Sequence, residues 1–162
     1  QYIPKSDKKS IAEALINAQN NLFEVGVTTV DDAGLGKDSI DLIDKLQKAN
    51  KLKIKVYAMI SGNEQNLEHY LKTGPYKTDK LSVCSFKFYA DGALGSRGAC
   101  LLHPYHDIIE QEHYGLLIKE KAFFEKYAPL LYEKGFQMNT HCIGDSANRI
   151  ILDVYGKTLK GV

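Results

Sequence analysis

The chain has 162 residues, 44% of them apolar, enough for one hydrophobic core and hardly for two. Its 21 Lys and Arg against 20 Asp and Glu leave a formal charge of +1, and no basic block interleaves with aromatics, which argues against nucleic acid as a partner. No run reaches the roughly 18 consecutive apolar residues of a membrane-spanning helix. The three cysteines, Cys84, Cys100 and Cys142, lack CxxC spacing. That pattern disfavours a disulfide framework or a cysteine zinc site, and fits a reducing compartment such as the cytoplasm without fixing one. The opening "QYIPKSDKKS" carries no apolar run behind its charges and no initiating Met. The expectation is a piece of a longer chain, with no signal peptide of its own.

In chain order, Ser10 with Glu13 three residues on reads as a capping box. Ile11, Leu15, Ala18, Leu22 and Val25 then recur at helical spacing, and Gly26 ends the helix. "VTTVDDAG" is a first strand, and Asp38 or Ser39 caps a second helix whose buried stripe is Ile40, Ile43, Leu46 and Gln47. "LKIKVYAMI" is a second strand and "NEQNLEHYLKT" a short helix. A third strand starts near Val83 and runs into "SFKFYADGALGSRGA". About 25 irregular residues follow, longer than most connections and so a candidate functional loop. "KAFFEKYAPLLYEKG" is a helix ended by Gly135, "FQMNTHCIGD" a fourth strand and "SANRIILDVYGKTL" the last helix. Strands alternating with helices argue for right-handed βαβ units and a parallel sheet, in one domain spanning residues 1–162.

An ordinary parallel strand is buried on both faces and reads as a continuous apolar run. The third and fourth strands do not. Phe86, Phe88 and Ala90 fall on one face of the third, with Ser85, Lys87, Tyr89 and Asp91 on the other. In the fourth, Phe136, Met138 and Thr140 oppose Gln137, Asn139 and His141. One apolar face and one polar face suit a barrel strand with a functional interior, where reactive groups sit at the carboxyl ends of strands. Asp91 and His141 occupy those ends, with Lys87 slightly deeper.

His141 reads either as a histidine hydrogen-bonded in a strand–helix turn or as a metal ligand through a neutral imidazole nitrogen. Lys87, facing a packed interior, is either paired with Asp91 or holds an amine whose desolvation favours the neutral form. A neutral amine can act as a base, form a Schiff base, or take up carbon dioxide as a carbamate able to bridge two divalent ions. Asp91 with Gly92 and Gly95 suggests turn chemistry, and Arg97 either a solvated loop residue or a fork for a carboxylate or carbonyl. His103, His106 and His113 share the long loop as surface or lid residues. Asp31 and Asp32 close the first strand, one of them facing the axis. No GxSxG elbow or phosphate-cradling loop is present, and Cys142 points away from His141 by strand alternation.

"GVTTVDDAG", "FKFYADGALGSRGACLLHPYHD" and "GFQMNTHCIGDSANRIILDVY" together resemble amidohydrolase family 3, the branch of the metal-dependent amidohydrolases that includes N-substituted formamide deformylase. The resemblance runs from about residue 10 to 160. It implies a partial (β/α)8 barrel of about four parallel βα units, the second to fifth of eight, around one or two divalent ions, usually zinc. Residue by residue, Lys87 matches the fourth-strand ligand, as a carbamate, and His141 the fifth-strand histidine. Asp91, Ser96 and Arg97 match motif positions for loop shaping or substrate contact.

The family's His-x-His is nowhere in this sequence, and no sixth or eighth strand is present to supply further ligands. A full barrel takes about 250 residues. The resemblance therefore implies an excised segment of an enzyme that hydrolyses an amide or other C–N bond of a small molecule, inactive and weakly metal-binding by itself. Its unpaired sheet edges invite self-association. The rival expectation is a complete, non-catalytic α/β binding or interaction module.

Overall fold

A computed structural model describes residues 7–108 and 111–160; the N-terminal segment up to Ser6 lies outside them. The chain divides into two compact units, Gln1–Ser85 and Phe86–Val162.

The first unit carries α1 (Lys8–Glu24), β1 (Thr29–Leu35), α2 (Lys37–Lys48), β2 (Lys55–Ser61), α3 (Glu64–Thr73), β3 (Tyr76–Lys77) and the start of β4 (Leu81–Tyr89). The strand order is β1-β2-β4-β3. β1 and β2 run parallel from Thr29 opposite Lys55 to Leu35 opposite Ile60, with a register shift between Ala33 and Leu35. The two-residue β3 returns antiparallel to β4, Tyr76 opposite Val83, a hairpin too short to leave a periodic signal in the sequence.

Two caps differ from the sequence expectation. Asp7, not Ser10, caps α1: its Oδ1 accepts from the Ser10 amide at 2.7 Å and the Ser10 hydroxyl at 2.8 Å. A carboxylate is a stronger acceptor than a hydroxyl and sits favourably at a helix N-terminus. Gly36, with no capping side chain, precedes α2, so Asp38 lies inside its first turn, where the helix dipole favours it.

The α2 stripe is buried as read: Ile40, Ile43, Leu46 and Gln47. The α1 stripe is not. Gln19 is the buried residue of that helix, while Ile11 is 37% and Val25 74% exposed. Gln19 is buried because its Oε1 accepts from the amides of Lys53 and Ile54 at the approach to β2. Gln47 does the converse, donating Nε2 to the carbonyls of Ile54 at 3.0 Å and Lys80 at 3.2 Å. Two glutamines thus satisfy backbone groups just outside the strand ladder, which burial would otherwise leave unpaired.

The second unit carries the end of β4, α4 (Lys121–Glu133), β5 (Gln137–His141) and α5 (Asp145–Thr158). β5 pairs with β4, the Ala90 amide donating to the His141 carbonyl at 2.9 Å. Phe86 and Phe88 fill the core edge-to-face, Phe86 against Phe136 at 5.2 Å and Phe88 against Phe123 at 5.6 Å and Phe124 at 6.5 Å.

Along β4 the buried positions change parity. Leu81, Val83 and Ser85 are buried, then Phe86, Phe88 and Ala90. Ser85, expected on the open face with Lys87, is therefore fully buried, because both faces of the strand are covered where the parity changes. Burial does not alternate along β5, where Met138 to His141 are all half-buried; the Thr140 hydroxyl and the Met138 carbonyl each meet the Tyr155 hydroxyl of α5 at 2.8 Å.

Replacing Gln47 by Leu keeps the volume but leaves the carbonyls of Ile54 and Lys80 without their donor. We expect a loss of about 1–2 kcal/mol in urea unfolding, with an unchanged m-value.

Candidate functional site

The five residues that match the family's motif positions, Lys87, Asp91, Ser96, Arg97 and His141, lie in the second unit, at the ends of β4 and β5 and in the loop between β4 and α4. Lys87 and His141 meet the same aromatic ring. The Lys87 Nζ stands 5.1 Å from the centroid of Tyr89, and the His141 ring lies 5.4 Å from it, tilted by 44°. Tyr89 is 47% exposed, so this face is open to solvent. The cause is local: β4 turns Phe86 and Phe88 into the core, which leaves Lys87 and Tyr89 outward beside the end of β5.

Asp91 does something different. It is fully buried, and its two oxygens accept from three backbone amides. Oδ2 takes Cys100 at 2.8 Å and Gly144 at 2.7 Å, and Oδ1 takes Ile143 at 2.9 Å. No ion pair joins it to Lys87 among the described residues, since its acceptor capacity goes to the loops. One carboxylate thereby ties the long loop to the turn that follows His141.

That loop is irregular in dihedral angles but well bonded. Asp91 forms an isolated bridge with Leu117, and the Ile118 amide donates to the Ala90 carbonyl at 2.7 Å. The Leu101 amide reaches the Tyr114 carbonyl at 2.8 Å, and the Leu102 amide reaches Asp145 Oδ1 at 2.9 Å. Backbones touch where side chains are absent. A Cβ on Gly144 would sit 1.9 Å from the Cys100 carbonyl oxygen, and one on Gly115 1.9 Å from that of Ala99.

Ser96 and Arg97 occupy a turn closed by the Gly98 amide on the Ala93 carbonyl at 2.9 Å. Ser96 Oγ donates to the Ala93 carbonyl at 3.2 Å. Arg97 is one of two non-glycine residues in the left-handed region among those described, with φ +57°. Its guanidinium donates to Asp107 Oδ2 from Nε at 3.1 Å and Nη2 at 2.7 Å, raising the guanidinium pKa and lowering that of the carboxyl. His113 Nε2 lies 2.9 Å from the Arg97 carbonyl. His103 and His106 line an open cleft with Arg97, Asp107 and Asp145, on the loop side.

Burial, with Asp91 nearby and Lys87 opposing, pushes the Cys142 thiol up to about 11, so it is protonated at neutral pH and a poor nucleophile. Among the described residues no group of three or more His, Cys, Asp or Glu side chains could hold a metal ion. Asp31 and Asp32 are exposed within β1, in the first unit.

Two further residues belong to this face. Tyr89 separates Lys87 from His141, and Asn139, two residues before His141, has a buried Nδ2 with no acceptor among the described residues. The alternation of β5 already puts Asn139 on the polar face; what the sequence lacks is any sign that its amide would be left unpaired.

Residues 1–160 match the amidohydrolase family. The chain belongs to that family. It is 29% identical over 155 residues to the protein Long After Far-Red 3 of Arabidopsis thaliana, covering 88% of this chain and 26% of that protein. It is 26% identical over 162 residues to the exoenzymes regulatory protein AepA of Pectobacterium carotovorum, covering 94% and 33%. An uncharacterized metal-dependent hydrolase from Pyrococcus horikoshii superposes with a TM-score of 0.84 at 25% identity, over 94% of this chain and 31% of that one. The chain thus spans about a quarter to a third of its relatives. Its α/β succession is that of a partial hydrolase barrel. No described helix is long and apolar enough to cross a membrane.

Replacing Asp91 by Ala strands three amides in the interior. We expect a loss of about 3 kcal/mol or more in urea unfolding, with faster hydrogen exchange at Cys100, Ile143 and Gly144.

Proposed function

We propose that this chain is part of the catalytic barrel of a metal-dependent hydrolase that cleaves an amide or related C–N bond in a small molecule. The observation that carries the reading is the grouping of Lys87 and His141 around Tyr89, on an open face at the strand ends of an amidohydrolase-family chain. The donor chemistry suits a divalent ion such as zinc: a histidine nitrogen, and an amine that becomes an oxygen ligand once it has taken up carbon dioxide. Lys87 as the carbamate and His141 would hold one or two such ions. When bound, the ion supplies Lewis acidity, acidifying water and polarising the scissile carbonyl.

The remaining steps belong to this chain's own residues. Asp91 fixes the turn behind His141 and the root of the long loop. Ser96 and Arg97 shape that loop above the strand ends, and Arg97 exchanges Asp107 for a carbonyl or carboxylate of the substrate. Residues 1–162 act as one piece of the barrel.

Two donors are fewer than the three protein ligands usual for catalytic zinc. We therefore expect the 162-residue chain to show no amidase turnover and to bind Zn²⁺ weakly or not at all. In the full-length protein, Lys87→Ala and His141→Ala should each lower metal content and kcat/KM by at least about 100-fold. Turnover by the clean 162-residue chain overturns the expected inactivity of the segment, and full activity in either variant overturns the ligand roles of Lys87 and His141. A parent sequence with His-x-His before this segment and a histidine and an aspartate after it favours the enzyme over a non-catalytic module.

Among the described residues β1 pairs with β2 alone, and it is largely exposed. An open edge of this kind recruits another strand. We expect the isolated chain to self-associate in light scattering, and a monomer at high concentration to count against it.

A further inference from the structure

We infer that Asn139 is a positioning residue for an anionic group carried by Lys87, its Nδ2–H donating to an oxygen of the lysine carbamate. The inference rests on the carbamate reading above and adds a residue to it. Three observations carry it. Tyr89 and His141 touch as neighbours across β4 and β5. The Ala90 amide on the His141 carbonyl sets the register at that point. Two residues earlier on each parallel strand, that register sets Lys87 beside Asn139, and both lie on the face that carries Tyr89 and His141.

The third observation is the state of the Asn139 side chain. Its Oδ1 accepts from Gln137 Nε2 at 2.7 Å, which orients the amide and directs Nδ2 away from Gln137. That nitrogen is cut off from water and has no acceptor among the described residues. A buried donor without an acceptor is costly, and such groups are rare unless a ligand or ion completes them. The Lys87 ammonium cannot do so, since it has donors and no acceptor. Carbamylation reverses this. The Nζ lone pair of the neutral amine attacks the carbon of carbon dioxide, forming an N–C bond. The π electrons of one C=O move onto oxygen, and Nζ releases a proton to water. The product is an anion whose oxygens can receive the Asn139 N–H.

The test is ¹³C NMR of the full-length protein, supplied with ¹³C-bicarbonate in the absence of added metal. Lys87→Ala assigns the carbamate resonance by removing it. We expect Asn139→Leu, of similar volume, to lower carbamate occupancy at limiting bicarbonate by about 10-fold or more, as loss of one hydrogen bond to a charged group requires. Asn139→Gln, which retains the amide, should recover part of it. Equal occupancy in the wild type and Asn139→Leu overturns the role of Asn139 alone. A wild type without any resonance lost in Lys87→Ala overturns the carbamate reading, and this inference with it.

Discussion

A carboxylate withdrawn from water has to be supplied with donors, and Asp91 is supplied entirely by backbone. Its two oxygens collect the amides of Cys100, Ile143 and Gly144. The end of β4, the first stretch of the long loop and the turn after β5 are thereby held to one point. Ionic partners would not serve the same purpose. A lysine or arginine could swing away with its side chain, whereas three amides can satisfy Asp91 only if both loops keep their path. The exposed face with Lys87, Tyr89 and His141 inherits its geometry from this constraint, because His141 sits between the Ala90 contact on one side and the Asp91 contacts on the other.

The division of labour between the faces of β4 and β5 follows from hydrophobicity. Phe86, Phe88 and Phe136 form the apolar side with Phe123 and Phe124. That leaves the other side to polar groups: a half-buried lysine and histidine flank an exposed tyrosine there, beside an asparagine whose Nδ2 is buried without an acceptor among the described residues. Rigid strands carry the groups proposed for ligation, and the loop carries those proposed for substrate contact. This is the arrangement expected where reactive side chains must keep their place while a neighbouring segment adapts.

Much of this was legible in the sequence. The 3.6-residue period of α2 reflects burial directly, whereas β5 forms where its alternating pattern puts a strand but is half-buried throughout from Met138 to His141. Family-specific strings such as "FKFYADGALGSRGA" carried the architecture, since no periodicity distinguishes a barrel strand from another half-buried strand. Other features were not legible for physical reasons. Asp7 and Ser10 both can cap, and only geometry shows which does. Gln19 is buried by hydrogen bonding rather than by hydrophobicity, so a hydrophobic pattern cannot see it. The alternation at Ser85 fails because packing covers both faces there. Asp91 looked like a turn residue, and the three amides it collects are separated from it by 9 to 53 positions.

The missing β-carbons at positions 115 and 144 let main chain rest on main chain, Gly115 against Ala99 within the long loop and Gly144 against Cys100. Such places are fixed points that admit no side chain: even the methyl of alanine would collide with a carbonyl oxygen, so a substitution at either site must displace the loop. Diversification is channelled instead to residues of that loop that stand in water, Leu94 and Leu102 among them. Those positions can change their side chains while the anchoring glycines keep the path of the loop.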